Sequence, residues 1–120
     1  MKESQALTKR AQYALVYQQG KVWVDSLLVM KALPNGLSLS RYGFSVTKKV
    51  GKAVQRNRLK RLLREIVKVQ VLKPGWDIVF IARREAVAAD FHQLERVVTN
   101  LLAQARLLER SNETISAGVN

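Results

Sequence analysis

The sequence predicts a single α+β domain, a two-layer α/β sandwich in which helices pack on a four-stranded mixed sheet in the order αβββαβα. Three observations carry this reading. Two stretches, near residues 53–70 and 90–108, place apolar residues three and four apart, the spacing of a helix with one buried face. Four short runs are rich in branched and large apolar residues, the composition of strands. The chain has 120 residues and no cysteine, enough for one modest core that must hold without disulfides or thiolate metal sites.

Each element follows from local chemistry. Residues 1–7 read as a flexible N-terminal tail, residues 8–109 as the folded domain, and the small, polar, aperiodic residues 110–120 as a disordered C-terminal tail. Thr8 can cap a first helix running to about Gln19, which Gly20 would end in the left-handed conformation. Val22 to Val24 and Leu27 to Leu33 follow as strands. Pro34-Asn35-Gly36 is a turn signal, so the next strand, Leu39 to Thr47, is expected to return antiparallel. A helix runs from Ala53 to about Gln70. After the break at Lys73-Pro74-Gly75, the unbroken apolar run within Trp76 to Ala82 predicts a central strand buried on both faces. Asp90 and Gln93 form a capping box for the last helix, whose core stripe is Phe91, Leu94, Val98, Leu101, Ala105 and Leu108.

Charge is the unusual property. The chain carries 21 Lys and Arg against nine Asp and Glu, a formal +12. The segment Arg41 to Lys68 holds ten of those bases and one acid, Glu65, so most of the excess sits in under a quarter of the length. Such density is costly unless a polyanion neutralises it, which points to a nucleic-acid surface. The N-terminus has no signal-type apolar stretch, and the longest apolar runs are too short to cross a bilayer. The expectation is a soluble, cytoplasmic protein with no membrane partner.

On a helical wheel, Leu59, Leu62, Leu63, Ile66, Val67 and Val69 share one arc, and Asn57, Lys60, Arg61, Arg64 and Lys68 share the opposite one. Lys60–Arg64 and Arg64–Lys68 are like-charge pairs at i,i+4, each costing a few tenths of a kcal/mol. A purely structural helix would gain by alternating signs. Arg56 and Arg58 project to different flanks, where each can reach a nucleic-acid strand or brace a neighbouring loop. Ahead of the helix, Lys48, Lys49, Gly51 and Lys52 bring ammonium groups, backbone N–H groups and a helix start to one place, a combination that favours phosphate. The nucleotide-hydrolysing P-loop spacing is absent.

The run Gly43 to Glu65, GFSVTKKVGKAVQRNRLKRLLRE, resembles the signature of the protein subunit of bacterial ribonuclease P. It has the strand ending in Thr-Lys-Lys, then Gly-Lys-Ala-Val, Arg-Asn-Arg, Lys-Arg and Arg-Glu. The surroundings are similar too: aromatics four apart before a glycine (Tyr13, Tyr17, Gly20) and the Gly-x-Asp-x-Val-x-Ile-Ala-Arg strand, Gly75 to Arg83. The resemblance covers about residues 7–109.

It implies a fold like the second domain of ribosomal protein S5, with a left-handed β-α-β crossover around the basic helix. Handedness rules alone would have given a right-handed one. It also implies a subunit of an endoribonuclease that removes the 5′ leader of precursor tRNA. In that family the RNA subunit performs the chemistry with Mg2+ held mainly by RNA, so no catalytic residue and no protein-held metal is expected here. The protein binds the catalytic RNA and the leader and strengthens functional metal binding.

By position, the resemblance implies that Arg56, Asn57, Arg58, Lys60, Arg61 and Arg64 contact RNA or lie close to functional metal, and that with Lys48, Lys49, Lys52 and Lys68 they form the surface for the catalytic RNA. The leader cleft should be lined by Tyr13, Tyr17, Lys31, Ser45, Thr47 and Lys48. Period-two alternation independently places Gly43, Ser45 and Thr47 on one strand face and Phe44 and Val46 on the other. Two departures stand out: tyrosines where the family often has Phe, and Lys31 where relatives can carry an aromatic.

The residues alone also allow plainer readings. Tyr13 and Tyr17 could be plain core, and Trp23 and Trp76 read as packing residues. His92 has no catalytic partner. Asp77 reads as a strand-start residue anchoring a turn, and Asp90 as a cap. Neither of them pairs with Glu85 in the spacing of a two-metal site. A DNA recognition helix would need a helix, not a strand, before the basic segment, so no DNA partner is expected. A ribosomal or assembly protein would share the general RNA affinity.

Overall fold

The computed structural model describes residues 4–109. Its elements are strand β1 (Ser4–Ala6), helix α1 (Arg10–Gln19), strands β2 (Lys21–Val24), β3 (Leu28–Pro34) and β4 (Ser40–Ser45), helix α2 (Ala53–Lys68), strand β5 (Trp76–Ala82), a 3-10 turn (Arg84–Ala88) and helix α3 (Phe91–Gln104). The five strands form one mixed sheet in the order β1-β4-β5-β3-β2. The α+β class and the order of the expected elements hold. The sheet has five strands where four were expected, because Ser4–Ala6, read as tail, pairs in parallel with Ser40–Tyr42. Three residues carry too little pattern to be read as a strand; Leu7, which follows them, is buried and anchors the segment.

The turn after Pro34 does send the chain back, yet β3 and β4 do not pair. β5 lies between them, antiparallel to β3 and parallel to β4. The apolar run in β5 explains this: a strand flanked on both sides and covered on both faces gains more burial than an edge strand. α2 is therefore the crossover of a parallel β-α-β unit whose two strands are immediate neighbours.

The two sheet faces are unequal. One carries Leu28, Met30, Ala32, Ile78, Phe80 and Ala82, packed against Leu59, Leu63, Ile66 and Val67 of α2 and the buried stripe of α3. Each of these Leu, Ile, Val, Met and Phe side chains contributes about 1.5–3 kcal/mol on burial. The other face carries a small cluster of Val79, Leu7 and Val16, with Tyr13, Leu33 and Ile81 half-buried around it. α1 is too short to cover that face, and Val22 and Val24 stay exposed. Ile81 is thus only partly covered, against the expectation of a strand buried on both faces.

Boundaries differ in instructive ways. Gly20 is extended (φ −73°, ψ 153°), not left-handed. Its lack of a side chain matters because a Cβ would lie 2.6 Å from the Val16 carbonyl oxygen. α1 starts after Lys9, not at Thr8. Gln12 Oε1 accepts from the backbone N–H groups of both Thr8 and Lys9 at 3.1 Å. α2 stops at Lys68, which leaves Val69 outside the buried arc and mostly exposed. The capping box of α3 is formed: Asp90 Oδ1 accepts from the Gln93 N–H and Gln93 Oε1 from the Asp90 N–H, both at 2.9 Å. α3 ends at Gln104, and a left-handed Arg106 (φ 60°) returns Leu107 to the core and Leu108 to a bridge with Leu72. The expected disorder of residues 110–120 lies outside the described residues. Among the described residues, no helix is long and apolar enough to cross a membrane.

Candidate nucleic-acid interface

Helix α2 presents its polar arc as the wheel predicts. Leu59 and Leu63 are fully buried, while Asn57, Arg61, Arg64 and Lys68 are exposed and Lys60 is half-exposed. Among the described residues the ion pair is Arg41 with Asp77, at 2.7 Å. No α2 cation is neutralised by an acid among the described residues. Their mutual repulsion is left for an outside anion to relieve.

The two flanking arginines act differently from the exposed ones. Arg56 Nη1 donates to the Gly51 carbonyl at 2.7 Å, closing the Lys48–Lys52 turn onto the helix. Arg58 Nη2 makes a long 3.4 Å contact with the Ala89 carbonyl, tying α2 to the segment before α3. Both are half-buried, so the loop-bracing option is the one realised within the chain. Lys48, Lys49 and Lys52 remain exposed around a turn in which the Val50 N–H donates to Thr47 O at 3.0 Å.

The expected leader cleft lies on the other sheet face, beside α1. Register places Lys31 opposite Val79 and Val79 opposite Gly43, with Val29, Ile81 and Ser45 aligned one pleat further on. Lys31, Gly43 and Ser45 therefore share that face. Tyr13 lies across Gly43, where a Cβ would overlap its phenol, 2.6 Å from Cζ. Tyr17 sits over Lys31, whose Nζ is 5.7 Å from the ring centroid and donates to the Tyr17 carbonyl at 3.0 Å. The two rings are 6.4 Å apart and tilted by 48°. Thr47 and Lys48 are not part of this floor. β4 ends at Ser45, and the alternation expected to reach Thr47 gives way to the lysine turn.

Some neighbours were not legible as site residues. Val29 and Ile81, both half-buried, form an apolar floor beside α1 that reading β5 as covered on both faces had hidden. More important, a groove of about 250 Å³ brings Tyr13 and Phe44 together with Lys60 and Arg64 of α2. The aromatic cleft and the cationic helix meet at the free end of β4. Among the described residues no three His, Cys, Asp or Glu side chains come together.

The fold and this surface define a class: a small, strongly basic α+β protein whose cationic helix, without an acid partner among the described residues, lies beside an aromatic cleft, a combination suited to nucleic acid. Comparison with known proteins gives the family. The ribonuclease P family model matches residues 1–106. The ribonuclease P protein component of Dehalococcoides mccartyi is 51% identical over 117 residues, spanning 98% of both chains. That of Caldanaerobacter subterraneus is 43% identical over 105 residues, 86% of this chain and 90% of the relative. Among solved structures, the RNase P protein of Staphylococcus aureus superposes with a TM-score of 0.77 at 29% identity, over 87% of this chain and 97% of that one. The Thermotoga maritima protein gives 0.76 at 34% identity, over 82% and 96%. The chain belongs to the ribonuclease P protein family. It is thereby a subunit of a tRNA-processing endoribonuclease and partners an RNA subunit in tRNA 5′ maturation.

Proposed function

We propose that this chain is the RNA-gripping, non-catalytic part of the holoenzyme. The exposed face of α2 and the lysine turn hold the catalytic RNA. The cleft beside α1 holds the single-stranded 5′ leader of precursor tRNA. Endonucleolytic hydrolysis takes place in the RNA subunit, which would hold most of the functional Mg2+. Charge neutralisation by the protein lets the RNA fold tightly around its ions, which is how the protein strengthens functional metal binding.

One observation carries the reading: the α2 cations have no acid partner among the described residues, while an aromatic-and-lysine cleft opens beside them. Cations neutralise phosphate in any sequence. Tyr17 offers a ring for base stacking, worth roughly 1–3 kcal/mol per base, and Lys31 adds charge beside it. A DNA recognition helix is disfavoured, since a strand and a lysine turn precede α2 instead of a helix.

Leader dependence tests the proposal. In complex with catalytic RNA, the protein should tighten binding of leader-bearing precursor tRNA relative to leaderless tRNA. Tyr17→Ala should erase most of that preference while leaving assembly with the RNA nearly intact. Equal losses for leader-bearing and leaderless tRNA would contradict the cleft assignment.

A further inference from the structure

The groove at the end of β4 joins residues that the sequence assigned to two different RNA surfaces. β1 pairs only with Ser40–Tyr42, and the Leu7 N–H donates to the Tyr42 carbonyl at 2.8 Å before the chain turns into α1. β4 continues to Ser45, so its last residues form a sheet edge without a partner strand on that side among the described residues. N–H and C=O groups of alternate residues point the same way along a strand, and Phe44 is two residues on from Tyr42. Its backbone groups therefore point at the open edge.

Tyr13 closes part of that edge. Its ring lies on Gly43, and the Phe44 backbone meets its hydroxyl. A phenol carries one O–H proton that it can donate. Opposite it stand the side chains of Lys60 and Arg64, both lining the same groove and both without an acid partner among the described residues. One neutral donor and two cations around a groove of about 250 Å³ match a singly charged, oxygen-rich group on a thin chain.

We propose that this notch seats one phosphodiester of single-stranded RNA, with the Tyr13 hydroxyl as hydrogen-bond donor and Lys60 and Arg64 as counter-charges. Tyr13 is then an oxygen-binding residue as much as an aromatic surface. It contributes specificity for backbone position that a bare ring would not. A tyrosine hydroxyl keeps its proton at neutral pH at its ordinary pKa, and burial, foremost, shifts that of Tyr13 further upward. This inference rests on the RNA-gripping role proposed above.

The test uses the full chain with its catalytic RNA, comparing wild type, Tyr13→Phe and Lys60→Ala over a series of salt concentrations. Two affinities are read: protein for catalytic RNA, and holoenzyme for leader-bearing against leaderless precursor tRNA. Tyr13→Phe keeps the ring and removes only the donor. It should weaken one of the two affinities about tenfold, the size of a hydrogen bond to a charged group. The log-log salt slope should stay the same, because no charge is lost. Lys60→Ala should weaken the same affinity and lower the slope by about one unit. Loss confined to leader-bearing substrate assigns the phosphate to the leader, and loss in assembly assigns it to the catalytic RNA. Tyr13→Phe equal to wild type in both readings overturns the notch even if wild type still prefers leader-bearing substrate. If wild type shows neither preference nor assembly, the RNA-gripping role fails first and the notch with it.

Discussion

Arg41 grips Asp77 through two parallel hydrogen bonds, Nε to Oδ1 at 2.8 Å and Nη2 to Oδ2 at 2.7 Å. The Asn35 side-chain amide adds a third contact to Oδ1 at 2.9 Å. One buried carboxylate thereby joins the end of β3, the start of β4 and the start of β5. The fold uses an acid here to fix the sheet, and none among the described residues to neutralise α2.

Removing that carboxylate leaves Arg41 and Asn35 without their shared acceptor. Asp77→Ala should cost about 3 kcal/mol, as expected for breaking a buried pair from one side. Urea unfolding should show a lower midpoint with an unchanged slope. A loss below about 1 kcal/mol would mean that the contact is as weak as a surface ion pair.

The fit of Tyr13 over Gly43 gives a coupling prediction. Gly43→Ala forces a methyl group into the phenol and should destabilise by about 1–3 kcal/mol. In a Tyr13→Ala background the same change should cost much less. A double-mutant cycle on thermal or urea unfolding reads the difference, and additive losses would mean that the two residues are not in contact.

The α2 arginines separate by role. Arg61→Ala removes an exposed charge and should reduce the salt slope of catalytic-RNA binding by about one unit with stability unchanged. Arg56→Ala also releases the Gly51 carbonyl and so loosens the lysine turn. It should lose more affinity than Arg61→Ala and show faster amide exchange at residues 48–52. Unchanged slopes in both variants would remove the phosphate role from this helix.

Alkaline pH reads the Tyr13 environment. Burial, foremost, raises its hydroxyl pKa above 10.0; proximity to Tyr17 adds to this and the Phe44 backbone bond opposes it. The folded state therefore holds the proton more tightly than the unfolded state. That contribution is fully present below pH 10.0 and is lost as pH rises through the folded value. The stability of wild type relative to Tyr13→Phe should be constant at lower pH and fall above about pH 10. A flat difference throughout would place the hydroxyl in water.

Much of this was legible in the chain because local patterns were strong. The 3.6-residue period of α2 fixed both its buried and its cationic arc, and Asp90 with Gln93 marked the start of α3. What could not be read depended on contacts distant in sequence. Ser4–Ala6 becomes a strand only because β4 offers an edge, and β3 fails to pair with β4 only because β5 fits between them. The candidate site divides the same way. The cationic arc of α2 followed from spacing and the grouping of Tyr13, Tyr17 and Lys31 from the family resemblance, whereas Thr47 lies beyond the strand expected to carry it, which stops at Ser45. The meeting of Tyr13 with Lys60 and Arg64 joins residues about 50 positions apart, and no periodicity reports it.

Reconstitution tests the central claim most directly. Cleavage of a precursor tRNA is measured at low magnesium with the chain alone, with a matching catalytic RNA alone, and with both together. The account predicts no cleavage by the chain alone, little by the RNA alone, and accurate removal of the 5′ leader when they are combined. Cleavage by the protein without RNA, or no rescue of the RNA by the protein, would contradict it.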